Sequence, residues 1–573
     1  MSNRSDFVGH FRDRVSEQGE KQALIFLADS GSGVTERSFD YPELDRRARR
    51  VAAWLAERTE PGDRAMLLFL PGREFMVGFL GCLYAGVVAV PAPMPDSNGR
   101  GVARLAGIAR DADVRAVLSE QAVAEAIDAW VQHSGLAEQV VHTAVDALPE
   151  GLEDDWRPVP LTGDSVAFLQ YTSGSTSDPK GVMVTHANLL HNEEEIHQAV
   201  RSTSETPVCS WLPQFHDMGL IGQLLHPLYM GSTSIFMSPL TFLKRPYLWL
   251  WALSEYRAPI SVAPNFAFEL AVRRVTDEQL ATLDLSCVES ILNGSEPIQA
   301  HTLDAFTEKF AAAGLRDGAV FPCYGLAETT LFVTGSRDGR VYTDADPKAL
   351  EQGGIVASTA TDARTLVSSG SAGTLEVRIV DPETHQVLAD GRTGEIWVRG
   401  GSIAAGYWKQ PEKTEETFNA AAITADGATA GYLRTGDIGA LLDGELYVTG
   451  RLKDMLIVNG RNLYPHDLEH TARQVHAALQ TGVGASFVVD GKPEKLVLVH
   501  EIKTSALGDT ELADLEKAIR AELRAEYDVH LHELVLLPRG GVARTTSGKV
   551  RRGSMREKYL AGSLESLLTG AGR

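Results

Sequence analysis

Cysteine is scarce in this chain of 573 residues: Cys82, Cys209, Cys287 and Cys323 are scattered, with no C-x-x-C pair among them. That excludes a disulfide framework and a thiolate zinc site, and it predicts a cytoplasmic protein whose thiols stay reduced. Positive charge is also in deficit. A net charge of −22 opposes binding to a phosphate backbone, so nucleic acid is not an expected partner. The first residues, MSNRSDFVGHFRDRV, lack an apolar core segment, and no signal peptide is predicted. Internal repeats and low-complexity tracts are absent. One apolar run, Phe75 to Pro95, has 21 residues without a charge and the length of a bilayer span. Pro91, Pro93 and Pro95 break its end, so it reads as a buried helix passing into a strand rather than as an integral membrane segment.

What remains is a large globular chain, 44% hydrophobic and 23% charged, long enough for more than one domain. Amphipathic helices alternate with apolar strands over the first part: DYPELDRRARRVAAWLAER is helical by spacing, and RAMLLFL and VRAVLSE are strands. The alternation continues through SVAFLQYTSG, SIFMSPL and SVAPNFAFELAVRRV and predicts an α/β fold of mostly parallel sheets covered by helices. After residue 370 the texture changes to short strands with turn signals (TLEVRIVD, GEIWVRG, LLDGELYVTGR), which predicts an antiparallel or barrel-like subdomain. The charged turn GRLKD marks a boundary near Arg451–Asp454. It divides the chain into an N-terminal core of residues 1–452 and a small α+β domain of residues 453–573.

One loop carries the first chemical signal. YTSGSTSDPKG, residues 171–181, sets glycines and hydroxyls ahead of one lysine between two apolar strands. It fails the Walker pattern G-x-x-x-x-G-K-[ST]. It nevertheless has what a phosphate site needs, which is converging backbone N–H groups, hydroxyl donors and a point charge.

The loop resembles the glycine- and serine-rich loop of the adenylate-forming superfamily of acyl-CoA synthetases, adenylation domains and luciferases. SWLPQFHDMGLIG (210–222), NGSEP (293–297), CYGLAETT (323–330), YLRTGD (432–437), GRLKDMLIVNGRNLYP (450–465) and ARTTSGKVRR (543–552) follow in the superfamily's order. The resemblance implies ATP and Mg²⁺ as cofactors, with a carboxylate attacking the α-phosphate and expelling pyrophosphate. It implies that Thr172, Ser173, Gly174, Ser175, Thr176 and Lys180 hold the departing phosphates. In the next motif, Tyr324 would stack on adenine, Glu328 would ligate Mg²⁺ and Thr329 would touch the α-phosphate, with Gly325, Leu326 and Ala327 as their neighbours. Gly294, Ser295 and Glu296 would line the adenine site, and Asp437 would accept the ribose hydroxyls with Arg451 in support. Lys549 would enter the site during adenylation, His216 would position the carboxylate, and Lys453 would be the hinge of a mobile C-terminal domain.

SWLPQFHDMGLIG looks like the fatty acyl-AMP ligases rather than amino-acid-activating domains. Trp211, Phe215, Met218, Leu220 and Ile221 suit an apolar tail, and RPYLWLWALSEY and PNFAFEL add aromatic surface for an acyl tunnel or for core packing. The long segment between Thr329 and Gly373 is similar to that family's insertion, placed at about 335–370, which hinders the rotation needed to make coenzyme A thioesters. The implied acceptor is the phosphopantetheine thiol of an acyl carrier protein; a fatty acyl-CoA ligase shares every adenylation motif and is the alternative, and a non-catalytic nucleotide- or lipid-binding scaffold is the alternative of another class. The basic run Arg539–Lys558, with seven Lys/Arg against Glu557 alone, is a candidate docking face for such an acidic partner.

Overall fold

The computed structural model describes residues 4–31, 33–95, 101–172, 180–336, 339–458, 461–489, 495–507, 511–545 and 548–568. The sheets follow directly from the helix–strand alternation. Among the described residues a six-stranded sheet runs in the order Val141–Ala144, Val114–Ser119, Arg64–Leu68, Val88–Pro91, Val166–Thr172, Lys180–Thr185. Its pairings are parallel except the last, which is antiparallel. Helix Tyr41–Ala56, capped by the Asp40 carboxylate, turns Leu44, Ala48, Val51 and Leu55 inward. That stripe packs on helix Glu74–Tyr84, where Gly81 allows an approach so close that an added Cβ would lie 2.5 Å from Val51. The uncharged run from Phe75 is this buried helix followed by strand Val88–Pro91, and no helix among the described residues is long and apolar enough to cross a membrane.

A second, nine-stranded sheet carries the parallel strands Val320–Gly325, Ser290–Asn293, Ile260–Ala263, Val208–Ser210, Ser234–Met237 and Gln22–Asp29 in adjacent order, with antiparallel strands at both edges. Parallel strands of this kind place ligand sites beyond their carboxyl ends. The region after residue 370 is antiparallel as expected: Glu376–Val380, Gly394–Arg399, Gly427–Leu442 and Ala420–Thr424 pair in that order, and Glu445–Arg451 adds to the long strand. Beyond it, strands Gly484–Val489, Lys495–Ile502 and Leu531–Pro538 form a three-stranded sheet. Its apolar clusters draw all their members from Leu456 onward, so this segment has a core of its own.

The segment proposed as an insertion is structured. Strands Tyr342–Ala345 and Arg364–Val367 pair antiparallel around a short helix, Pro347–Glu351. The Tyr342 hydroxyl donates to Asp304 at 2.9 Å on one side. On the other, the Arg364 guanidinium donates to Asp467 at 3.3 Å and lies 4.5 Å from the ring centre of Tyr527.

Candidate active site

The loop read from the sequence as a phosphate site is bounded by an antiparallel pair. Strands Val166–Thr172 and Lys180–Thr185 set Thr172 opposite Lys180, and both line a single cavity of about 470 Å³. Ser173, Gly174, Ser175 and Thr176 lie outside the described residues. Lys180 Nζ sits 5.3 Å over the ring of Tyr407, whose hydroxyl donates to Glu328 Oε1 at 2.9 Å. Burial lowers the Lys180 pKa, and the neighbouring Lys413 lowers it further. A cation and a carboxylate thus flank one aromatic ring at the phosphate end.

The Tyr324–Thr330 turn, which carries Glu328, forms a second wall. Strand Val320–Gly325 ends in a tight turn, and the chain returns antiparallel along Phe332–Gly335. A Cβ on Gly325 would lie 1.8 Å from the carbonyl oxygen of Leu331, so only glycine fits there. Gly325, Leu326, Ala327 and Glu328 all reach the cavity. Tyr324 donates its hydroxyl to Asp437 Oδ2 at 2.8 Å, and Arg451 Nε lies 3.0 Å from Asp437 Oδ1. The acid is therefore fixed from both sides, and Asp437 lies opposite Arg451 in adjacent strands. Gly294 and Ser295 line the same space; Ser295 holds φ at +76°, a strained value for a residue with a side chain.

Two motif residues do not face the cavity as expected. Thr329 is fully buried and its hydroxyl donates to the carbonyl of Leu326 at 2.9 Å, so it closes the turn instead of meeting a phosphate. The Glu296 carboxylate accepts the backbone N–H of Phe266 at 2.6 Å, which stabilises the start of helix Asn265–Arg274. Burial raises its pKa to about 7 against the pull of that hydrogen bond. Its place in the motif is thus explained by helix capping.

His216 and Asp217 mark the junction of the polar and apolar parts. His216 Nδ1 lies 2.6 Å from Asp217 Oδ1, and Asp217 caps Met218 at the start of a π-helical stretch, Met218–Leu225. Burial pushes the Asp217 pKa up, but the charge of His216, its hydrogen bond and the charge of Lys549 outweigh it and hold the group down at about 2. Lys549 arrives from the far end of the chain. Its turn is closed by the Thr545 hydroxyl, which accepts the Lys549 N–H at 3.0 Å, and the side chain lines the cavity. Burial and the nearby Arg451 lower its pKa. Leu452, Lys453 and Asp454, in the turn that links the two parts, also line this space.

An apolar branch runs inward from here between helix His186–Val200, the π-helical stretch and strand Ile260–Ala263. Ile196, Val200, Val262 and Phe332 wall it with Met218. Of the expected aromatic residues Phe215 lines the cavity, whereas Trp211 stacks on Phe242 at 3.8 Å and Trp249 and Phe268 are fully buried in the core. Leu220 and Ile221 are core residues as well. A Cβ on Gly222 would meet only Leu331, at 3.5 Å, so this position opens into the branch. Gly222→Phe is expected to fill this part of the cavity, read as loss of binding of the longest ligands with the shortest unaffected.

The basic run Arg539–Lys558 does not present one free basic face. Arg552 forms a bidentate pair with Glu469, Arg544 pairs with Glu501 at 3.1 Å, and Lys549 and Arg551 face the cavity.

One cavity thus joins the Tyr324–Asp437–Arg451 cluster, an apolar lining and a lysine brought in from the C-terminal segment, and the chain matches the AMP-binding enzyme family over residues 11–408. The chain belongs to that family. It is 39% identical to the medium-chain-fatty-acid–[acyl-carrier-protein] ligase JamA of Moorena producens, over 98% of this chain and 96% of the relative. It is 37% identical to the long-chain-fatty-acid–AMP ligase FadD32 of Mycolicibacterium smegmatis, over 98% and 95%. The structure of the fatty acyl-adenylate ligase of Legionella pneumophila in complex with acyl adenylate and pyrophosphate superposes with a TM-score of 0.76, at 37% identity over 97% of this chain and 96% of that one.

Proposed function

We propose that this chain activates a medium- or long-chain fatty acid with ATP as an acyl adenylate, releasing pyrophosphate, and passes the acyl group to the phosphopantetheine thiol of an acyl carrier protein. The observation that carries the reading is the convergence of Lys549, the Tyr324–Asp437–Arg451 cluster and the apolar branch on one cavity. A carboxylate entering beside His216 would have its tail in the branch and an oxygen within reach of the nucleotide's α-phosphate. Its attack forms the C–O–P anhydride and breaks the bond to the β-phosphate. Lys549 would offset charge on the transferring oxygens, Lys180 and the loop ahead of it would hold the departing pyrophosphate, and Asp437 would accept the ribose hydroxyls.

Glu328 suits magnesium. Its Oε1 is engaged by Tyr407, and among the described residues no cation pairs with its Oε2. A single carboxylate completed by phosphate oxygens and water is the ligand set this ion prefers. When bound, the ion would neutralise charge on the phosphates.

The division into a core and a C-terminal domain turning at Lys453 is part of the same proposal, and the separate apolar clusters beyond Leu456 support it. So does the Arg364 clamp on Asp467 and Tyr527, which ties the 335–370 segment to the part that would have to rotate. The test is an acceptor comparison: holo acyl carrier protein should be acylated and free coenzyme A should not, and robust acyl-CoA formation would overturn the reading. Arg364→Ala should raise the residual coenzyme A product several-fold. A partly exposed ion pair with a cation–π contact contributes on the order of 1 kcal/mol, and an unchanged product ratio would remove the clamp from the argument.

A further inference from the structure

Lys549 belongs to a segment that shares no apolar cluster with the rest of the chain. Among the described residues the apolar clusters before the Arg451–Asp454 turn end at Val448, and those after it begin at Leu456. Polar contacts cross the seam instead, and helix Pro465–Gln474 makes three of them. Its Leu468 and Ala472 pack into the segment's own core. Asp467, His470 and Arg473 follow one another at three-residue spacing and share a different face. Asp467 pairs with Arg364 of strand Arg364–Val367 at 3.3 Å. The ring centre of His470 lies 5.2 Å from that of His301, at the start of helix Ala300–Ala311. Arg473 lies 3.4 Å from Glu269 of helix Asn265–Arg274, and the same Glu269 oxygen accepts the Thr302 hydroxyl at 3.2 Å. One helix thus meets three separate elements of the core.

The same helix holds the lysine loop. Its Glu469 accepts the Arg552 guanidinium through both oxygens, at 2.7 and 2.6 Å, and Arg552 stands three residues after Lys549. The backbone N–H of Ser486 donates to Glu469 Oε1 at 2.7 Å and steadies the carboxylate. A bidentate guanidinium–carboxylate pair fixes orientation as well as distance. Where the helix sits on the core therefore decides where Lys549 sits in the cavity.

We propose that Asp467, His470 and Arg473 are positioning residues for adenylation: they seat helix Pro465–Gln474 on the core, and Glu469 and Arg552 pass that placement to Lys549. This rests on the adenylation reading above and on the turn at Lys453. Half-buried polar contacts are weak singly and are readily replaced by water, so the seat holds Lys549 for the first step and can be undone when the segment turns.

The experiment measures two half-reactions of the full chain: pyrophosphate release with decanoic acid, and transfer from preformed acyl adenylate to the holo carrier. Arg473→Glu and Glu269→Arg each set like charges across the seam, and each should lower kcat for pyrophosphate release by roughly three- to tenfold. Transfer, for which Lys549 leaves the cavity, should stay at the parent rate or rise. Glu269→Arg combined with Arg473→Glu restores an opposite-charge pair and should recover most of the lost adenylation. Arg473→Gln removes the charge without reversing it; it should show the same split at smaller size, and it decides the matter if a reversal fails to fold. Equal loss of both half-reactions, a double variant no better than the single ones, or unchanged adenylation in every variant overturns the proposal. A parent protein that releases no pyrophosphate with decanoic or palmitic acid overturns the adenylation reading instead.

Discussion

Lys549→Ala is expected to lower acyl-adenylate formation by roughly 10²–10³-fold, the usual cost of removing one preorganised charge or donor from a transition state. The geometry gives the reason. Lys549 lines the cavity, where the charges of Asp217, Asp437 and Glu296 favour its ammonium form and burial and the charge of Arg451 oppose it. A partly buried ammonium is costly at rest and is stabilised when an anionic phosphate arrives. The same burial lowers its pKa, with Arg451 adding to the shift. A lysine with a lowered pKa loses its proton earlier as pH rises, so kcat/KM for adenylation should fall on an alkaline limb below the ordinary lysine range. Lys549→Arg should move that limb out of reach. Folding defects are separable: the alanine variant given preformed acyl adenylate should acylate the carrier at the parent rate, because Lys549 is expected to leave the site for that step. Loss of both steps would place Lys549 in the fold instead of the chemistry.

The fold was legible wherever one periodicity dominated. The stripe Leu44, Ala48, Val51 and Leu55 is a helix face by spacing alone, and the uncharged run from Phe75 resolves into a helix that stops at Tyr84, just before Gly86 with φ at +67°, and a strand, Val88–Pro91, at whose end the prolines begin. The site was less legible, since a motif fixes residue type without saying which way a side chain turns. Thr329 and Glu296 both sit in the expected motifs, yet the Thr329 hydroxyl closes its own turn and the Glu296 carboxylate caps a helix. Tyr324, Asp437 and Arg451 come from three motifs, the last two on one strand pair, and their cluster depends on a register that sequence spacing does not encode. The π-helical stretch at Met218–Leu225 is invisible to a 3.6-residue pattern, which is why Leu220 and Ile221 read as tunnel lining and are core. Ile196 and Val200 look like any buried helix face until the cavity they line is seen.

Glu328→Gln should reduce adenylation by roughly 10²-fold and raise the magnesium concentration needed for half-maximal rate. The substitution is nearly isosteric, and its amide oxygen can still accept the Tyr407 hydroxyl that now reaches Oε1 at 2.9 Å. What it removes is the negative charge. That charge faces Lys180 across the Tyr407 ring and is one of the two groups that raise the Lys180 pKa against burial and Lys413. Without it the phosphate end of the cavity keeps Lys180, Lys453 and Arg451 but loses its carboxylate ligand for a hard cation. Tyr407→Phe separates the two contributions. It deletes the hydrogen bond and leaves the charge, so it should cost far less than Glu328→Gln and leave the magnesium dependence near that of the parent. If instead Tyr407→Phe shifts the magnesium dependence as much as Glu328→Gln does, the hydrogen bond and not the charge sets the metal's place. If neither shifts it, Glu328 is not the ligand.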